Sequence, residues 1–143
     1  MLVRDLTPAD FQALAEFRHQ MRRFLAFSEN AAREVGLEPR QHQVLLALRG
    51  LPEGTEPSVQ VLADRLVLRH HTVVELLDRL EAEGLVRRGR DATDRRRAVV
   101  LITARGTELL KKLSTTHLDE LRAQAPALVG ALNGVLRASR NRP

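Results

Sequence analysis

The stretch Leu85-Val86-Arg87-Arg88-Gly89-Arg90-Asp91-Ala92-Thr93-Asp94-Arg95-Arg96-Arg97-Ala98-Val99-Val100-Leu101-Ile102 decides how the chain folds. Two β-rich runs, Leu85 to Arg88 and Ala98 to Ile102, flank a polar turn from Gly89 to about Arg97. A turn containing glycine and aspartate between two such runs predicts a β-hairpin. Residues 87 to 97 hold Arg87, Arg88, Arg90, Arg95, Arg96 and Arg97 against Asp91 and Asp94, so this one exposed hairpin carries four of the chain's five net positive charges. A merely solvating surface mixes signs. Arginine, with its planar fork, suits phosphate and the narrow minor groove.

Working toward the N-terminus, a helix is expected from about His70 to Glu83, stopped by Gly84. At 100° per residue, Val73, Leu76, Leu77 and Leu80 share one arc and face a core. The opposite face shows His71, Val74, Glu75 and Asp78, with Thr72 and Arg79 along one flank. This division suits a recognition helix, apolar behind and polar in front. His71 and Thr72 can donate to base acceptors, Val74 can touch a thymine methyl, and Glu75 can accept from a cytosine amino group. Asp78 is available to hold a nearby wing arginine. A shorter helix with Val61, Leu62, Ala63 and Leu66 comes before it, capped by Ser58 and followed by a break at Val67-Leu68-Arg69. A helix-turn-helix followed at once by a β-hairpin is a winged helix. Arg90, Arg95, Arg96 and Arg97 are its expected wing contacts; Ser58, Arg69, Arg79 and Arg88 are phosphate candidates.

Further out, Thr7-Pro8-Ala9-Asp10 reads as an N-cap, a proline in the first helical position and an acid in the first turn. Apolar residues at Phe11, Leu14, Phe17, Met21, Phe24, Leu25 and Ala31/Ala32 continue an amphipathic helix to near Gly36. About 28 residues extend about 42 Å, more than a small domain covers. A helix from about Pro39 to Arg49 follows, facing inward with Val44, Leu45 and Leu48, and then a loop from Gly50 to Pro57. Beyond the hairpin, Thr103 caps a helix with Leu109, Leu110, Leu113, Leu118 and Leu121. Pro126 is expected to break it and open a last helix with Leu128, Leu132, Val135 and Leu136, and the end from Arg137 to Pro143 to fray. The expected fold is mainly α with a small β-hairpin. It is a single domain over 1–143, with a winged lobe at 39–103 and dimerisation helices at 7–36 and 104–138. One lobe of about 60 residues cannot cover those outer apolar stripes, which argues for a homodimer.

Composition narrows the classes. The 143 residues suit one ordinary domain, and the absence of cysteine excludes disulfides and thiolate metal sites. No GxSxG, phosphate-binding glycine loop or dinucleotide fingerprint is present, so an enzyme is not expected and no cofactor is implied. His70 and His71 point about 100° apart on a helix and cannot share a metal; none is expected. The start MLVRDLTPADF has no apolar secretory core and no run is long enough to span a bilayer, so the expected place is the cytoplasm, away from membranes.

Residues Ser58 to Gly106 resemble the MarR family of winged-helix transcription regulators. The resemblance rests on Leu62-Ala63-Asp64-Arg65-Leu66, on Thr72-Val73-Val74 with Asp78-Arg79-Leu80-Glu81 and Gly84-Leu85-Val86, on Asp91-Ala92-Thr93-Asp94-Arg95-Arg96, and on Ile102-Thr103 with Gly106. It implies a homodimer of interlaced terminal helices, each lobe binding half of a pseudo-palindromic double-stranded operator, and the expected function is a sequence-specific transcription regulator acting as a repressor. By this resemblance Arg96 enters the minor groove, Asp94 positions it, and His71 to Glu75 read the major groove. Thr93 and Glu75 depart from the family, which often has arginine at the first and a basic or polar residue at the second. Many members release DNA on binding a small phenolic or aromatic acid. Phe17, Arg18, Met21, Arg22 and Phe24 offer an apolar wall beside cations for such an effector. Two other readings stay open: an architectural or RNA-binding winged helix, and a protein–protein adaptor, the latter suggested by Glu75 and Asp78.

Overall fold

A computed structural model describes residues 3–140. The order is α1 (Pro8–Glu34), α2 (Pro39–Arg49), α3 (Val59–Leu66), α4 (His70–Ala82), β1 (Val86–Arg90), β2 (Ala98–Ile102) and α5 (Ala104–Arg140). The chain separates into two compact units. One takes the chain up to Asn30 and again from Thr115; the other is Ala31–Ser114.

The second unit is the winged helix. Its helices start where local chemistry says they should. Ser58 Oγ accepts the Val61 N–H at 3.1 Å and caps α3. Gln41 Oε1 accepts the Glu38 N–H at 2.9 Å at the start of α2. Gly84, at φ +75°, turns the chain out of α4, and the Leu85 N–H returns to the Leu80 carbonyl at 2.9 Å. The core is one cluster that includes Val44, Leu45, Leu62, Val73, Leu77, Leu80, Val86 and Val100. β1 and β2 pair antiparallel, with Arg88 opposite Val100. The strand runs two residues past the expected end at Arg88. Gly89 and Arg90 pair with Val99 and Ala98, a partnership that glycine and arginine do not advertise in sequence. The outer edge of β2 is met by the preceding loop, where the Pro57 carbonyl accepts the Val100 N–H at 2.8 Å.

Gly106 shows why the end of the hairpin needs a residue without a side chain. A Cβ there would overlap the Leu85 carbonyl and crowd Ile102. Thr103 prepares that approach: its hydroxyl donates to the Gly84 carbonyl at 2.7 Å and accepts the Gly106 N–H at 3.1 Å.

The first unit pairs the N-terminal part of α1 with the C-terminal part of α5. Thr7 and Asp10 cap α1 reciprocally. The Thr7 N–H donates to Asp10 Oδ2 at 2.8 Å, and the Asp10 N–H to Thr7 Oγ1 at 3.3 Å. The expected break at Pro126 is corrected: α5 is one helix of 37 residues with Pro126 inside it. Proline's φ is already helical; it removes one N–H and crowds the carbonyl four residues back. Strong helix formers on both sides, Ala123, Ala125, Ala127 and Leu128, favour continuation. α5 stays helical through Arg140 rather than fraying from Arg137. The rest of the expected frayed end, 141–143, lies outside the described residues. No helix among the described residues is long and apolar enough to cross a membrane.

Candidate nucleic-acid interface

α4 carries the first half of the site. Val73, Leu76, Leu77 and Leu80 are buried, while His71, Glu75, Asp78 and Arg79 are exposed and Thr72 and Val74 half-buried. The expected apolar back and polar front are both present. Arg69 is the N-cap residue of α4 and is exposed. Asp78 does hold a wing arginine: the Arg88 guanidinium pairs with its carboxylate and also reaches the Val74 carbonyl at 3.4 Å. The Arg88 N–H donates to Glu81 Oε2 at 2.9 Å. Strand β1 is thus tied along the C-terminal half of α4.

The turn between the strands is held by its own aspartates. Asp91 Oδ1 accepts the N–H and the hydroxyl of Thr93, each at 3.0 Å. Those two bonds, backbone first, hold the Asp91 carboxyl below its ordinary value. Asp94 Oδ1 accepts the Arg96 N–H at 3.1 Å, with Arg96 Nε at 3.4 Å. The Asp91 N–H and the Arg97 N–H close the turn on the Arg97 and Asp94 carbonyls, both at 3.0 Å. The Arg96 side chain extends from this frame 93% exposed.

The cations chosen from sequence fall into two groups. Arg79 pairs with Glu38 at 3.4 Å, Arg88 with Asp78, and Arg97 with Glu56 at 2.9 Å. Arg69, Arg90 and Arg95 have no acid partner among the described residues, and Arg96 has only Asp94. Ser58 spends its acceptor on capping α3. Sequence reading missed Glu56 and Glu38, because each meets its arginine across 41 residues of chain and no local pattern marks such a pair.

In the helical unit, Phe17, Met21 and Phe24 are half-buried and Arg18 and Arg22 exposed. Phe24 and Phe27 set their edges against His117, with centroids 6.1 and 5.6 Å away, and His117 Nε2 lies 2.7 Å from Ser28 Oγ. A cleft of about 520 Å³ in this unit, lined by Ala9, Ala13, Ala127, Gly130 and Ala131 among others, includes none of the five expected effector residues. No three His, Asp or Glu side chains gather as metal ligands among the described residues.

A helix-turn-helix joined to an arginine-tipped hairpin defines a winged-helix protein. Comparison with known proteins agrees. Residues 35–97 match the model of the MarR family. The chain is 38% identical over 96 residues to the transcriptional regulator HosA of Escherichia coli, a match spanning 64% of this chain and 67% of HosA. It is 36% identical over 95 residues to the HTH-type transcriptional regulator TtmR of Methylorubrum extorquens; that match spans 66% of this chain but 43% of TtmR. AbsC, a MarR family transcriptional regulator from Streptomyces coelicolor, shares the fold at 22% identity, with a TM-score of 0.72 over 98% of this chain and all of AbsC. The chain belongs to the MarR family, whose members are transcription regulators rather than enzymes.

Proposed function

We propose that the chain is a homodimeric repressor that binds a pseudo-palindromic operator in double-stranded DNA. His71, Thr72, Val74 and Glu75 read the major groove from α4, and the wing delivers Arg90, Arg95 and Arg96 to the backbone and minor groove. Ser58 at the start of α3 and Arg69 at the start of α4 are placed for phosphate. The observation that carries this reading is the wing tip: the Arg96 side chain is exposed to solvent on a turn whose backbone is held by Asp91 and Asp94. A cation presented from a rigid frame loses little freedom on binding.

The dimer is supported by the helical unit, which leaves Phe11, Leu14, Leu25, Val129, Leu132 and Leu136 exposed. Two-fold symmetry makes the operator an inverted repeat with half-sites about one turn apart. A small phenolic or aromatic acid bound near Phe17, Arg18, Met21, Arg22 and Phe24 would release DNA by favouring another spacing of the two lobes. The adaptor reading loses support because Arg88 neutralises Asp78, one of the two acids that suggested it.

A salt titration tests the main reading. A dimer covering roughly eight phosphates loses affinity with a log–log slope near −7 and prefers its operator over random duplex by about 10³-fold or more. Equal affinity for both DNAs would favour an architectural role. Arg96→Ala weakens operator binding and leaves the dimer intact; unchanged affinity would remove Arg96 from the wing contacts.

A further inference from the structure

We infer that Glu56, in the loop before α3, is a positioning residue of the wing: it holds Arg97 away from DNA and fixes the direction in which Arg95 and Arg96 project. This rests on the operator reading and adds a residue to it. Among Arg95, Arg96 and Arg97, Arg97 is the one most occupied by protein. Its Nη1 meets Glu56 Oε2 at 2.9 Å and its Nε lies 3.7 Å from Asp94 Oδ2. Asp94 is shared, since its other oxygen takes the Arg96 N–H and Nε. Arg97 therefore lies between two acids, while Arg96 has half of one and is 93% exposed. The Glu56 side chain is 30% exposed, better shielded than either arginine.

The wing needs such a strut because it is only a two-stranded ribbon. A hairpin alone is marginal and free to twist. Two tethers join this one to the loop before α3, at adjacent residues. The Pro57 carbonyl takes the Val100 N–H in the middle of β2, and the Glu56 carboxylate takes Arg97 where the ribbon meets its turn. One bond holds the strand at its middle and the other holds the end from which the turn projects. The same loop forms one wall of a cleft of about 450 Å³ whose other wall includes Arg90, Asp91 and Leu101, so the gap is not closed by apolar packing.

The sign of the effect separates this role from plain charge. Deleting an acid beside a polyanion should tighten binding. Deleting a strut should loosen it, by about two- to fivefold for an ion pair this exposed. The probe is a labelled duplex enriched from a random pool by the 143-residue chain, titrated with salt. Glu56→Ala is expected to bind it two- to fivefold more weakly with an unchanged salt slope, because no phosphate contact is lost. In an Arg97→Gln background the same substitution is expected to cause no further weakening. Binding as tight as the parent or tighter would overturn the inference. A second arm needs no DNA: hydrogen exchange of the Asp91 and Arg97 amides in the free protein is expected to speed up several-fold in Glu56→Ala, with the melting temperature held. Unchanged exchange would also overturn it. A parent protein that enriches no duplex would sink the operator reading, and the exchange arm would still decide whether Glu56 fixes the wing.

Discussion

The two units of this chain are built in opposite senses. Of the buried hydrophobic residues among those described, only Ala131 belongs to the helical unit; the rest lie between Ala32 and Leu113, in the winged unit. The helical unit buries polar groups instead: Asp10, Gln20, His117 and Gln124. Gln124 donates to the Gln20 carbonyl at 2.7 Å and leaves its own buried oxygen without a partner. Phe11, Leu14, Leu25, Leu118, Val129, Leu132 and Leu136 of that unit face solvent, and its other phenylalanines are only half-buried. The winged unit closes a hydrophobic core within one chain; the helical unit does not, and in the proposed dimer a second copy would supply its missing contacts. The proposed recognition surface and the proposed dimer surface thus lie on units with different sources of stability.

The largest expected effect tests the closed core. Leu77→Ala removes a fully buried side chain and is expected to cost about 2–5 kcal/mol in denaturant unfolding, independent of protein concentration. A loss under about 1 kcal/mol would mean that this core is not sealed. Leu132→Glu probes the open face. It is expected to convert dimer to monomer in sedimentation and to lower operator affinity roughly a hundredfold, since two linked half-sites become one. A parent protein that sediments as a monomer would break the comparison outright. Ser58→Ala removes the α3 cap and should cost about 1 kcal/mol in thermal melts, without changing the dimer; a shift in oligomeric state would show that the units are not independent.

The smallest effect is at the wing turn. The folded pKa of Asp91 lies below its ordinary value of 3.8, so its contribution is fully present above that value. It is lost as pH falls through the lower folded value. Exchange of the Thr93 amide should rise only below about pH 4. A rise already at pH 6 would show that something other than this carboxylate holds the turn.

Much of the winged unit is legible locally. Ser58, Gly36 and Gly84 mark helix ends by their own chemistry, and the buried arc of α4 follows from a 3.6-residue period. Asp78 was within reach of a wing arginine by reasoning on signs of charge, and Asp94 beside Arg96 followed from the family resemblance. Pro126 misled because a penalty for one residue competes with the preference of a whole helix. Val67 left no signal at all. It ends α3 at φ +54°, a region costly for a β-branched side chain, and is 89% exposed there. The tight return of Leu68 N–H to the Ala63 carbonyl imposes that turn, whatever residue occupies it.

The sequence by itself determined which residues are apolar, where helices begin, and where positive charge collects, because caps, periods and composition act within a few residues. Only the tertiary structure decided which arginines are available. Arg79 and Arg97 find their acids across long stretches of chain, and Arg88 finds Asp78 only once β1 lies along α4. Charge is counted along the chain, but whether it is neutralised depends on distance in space.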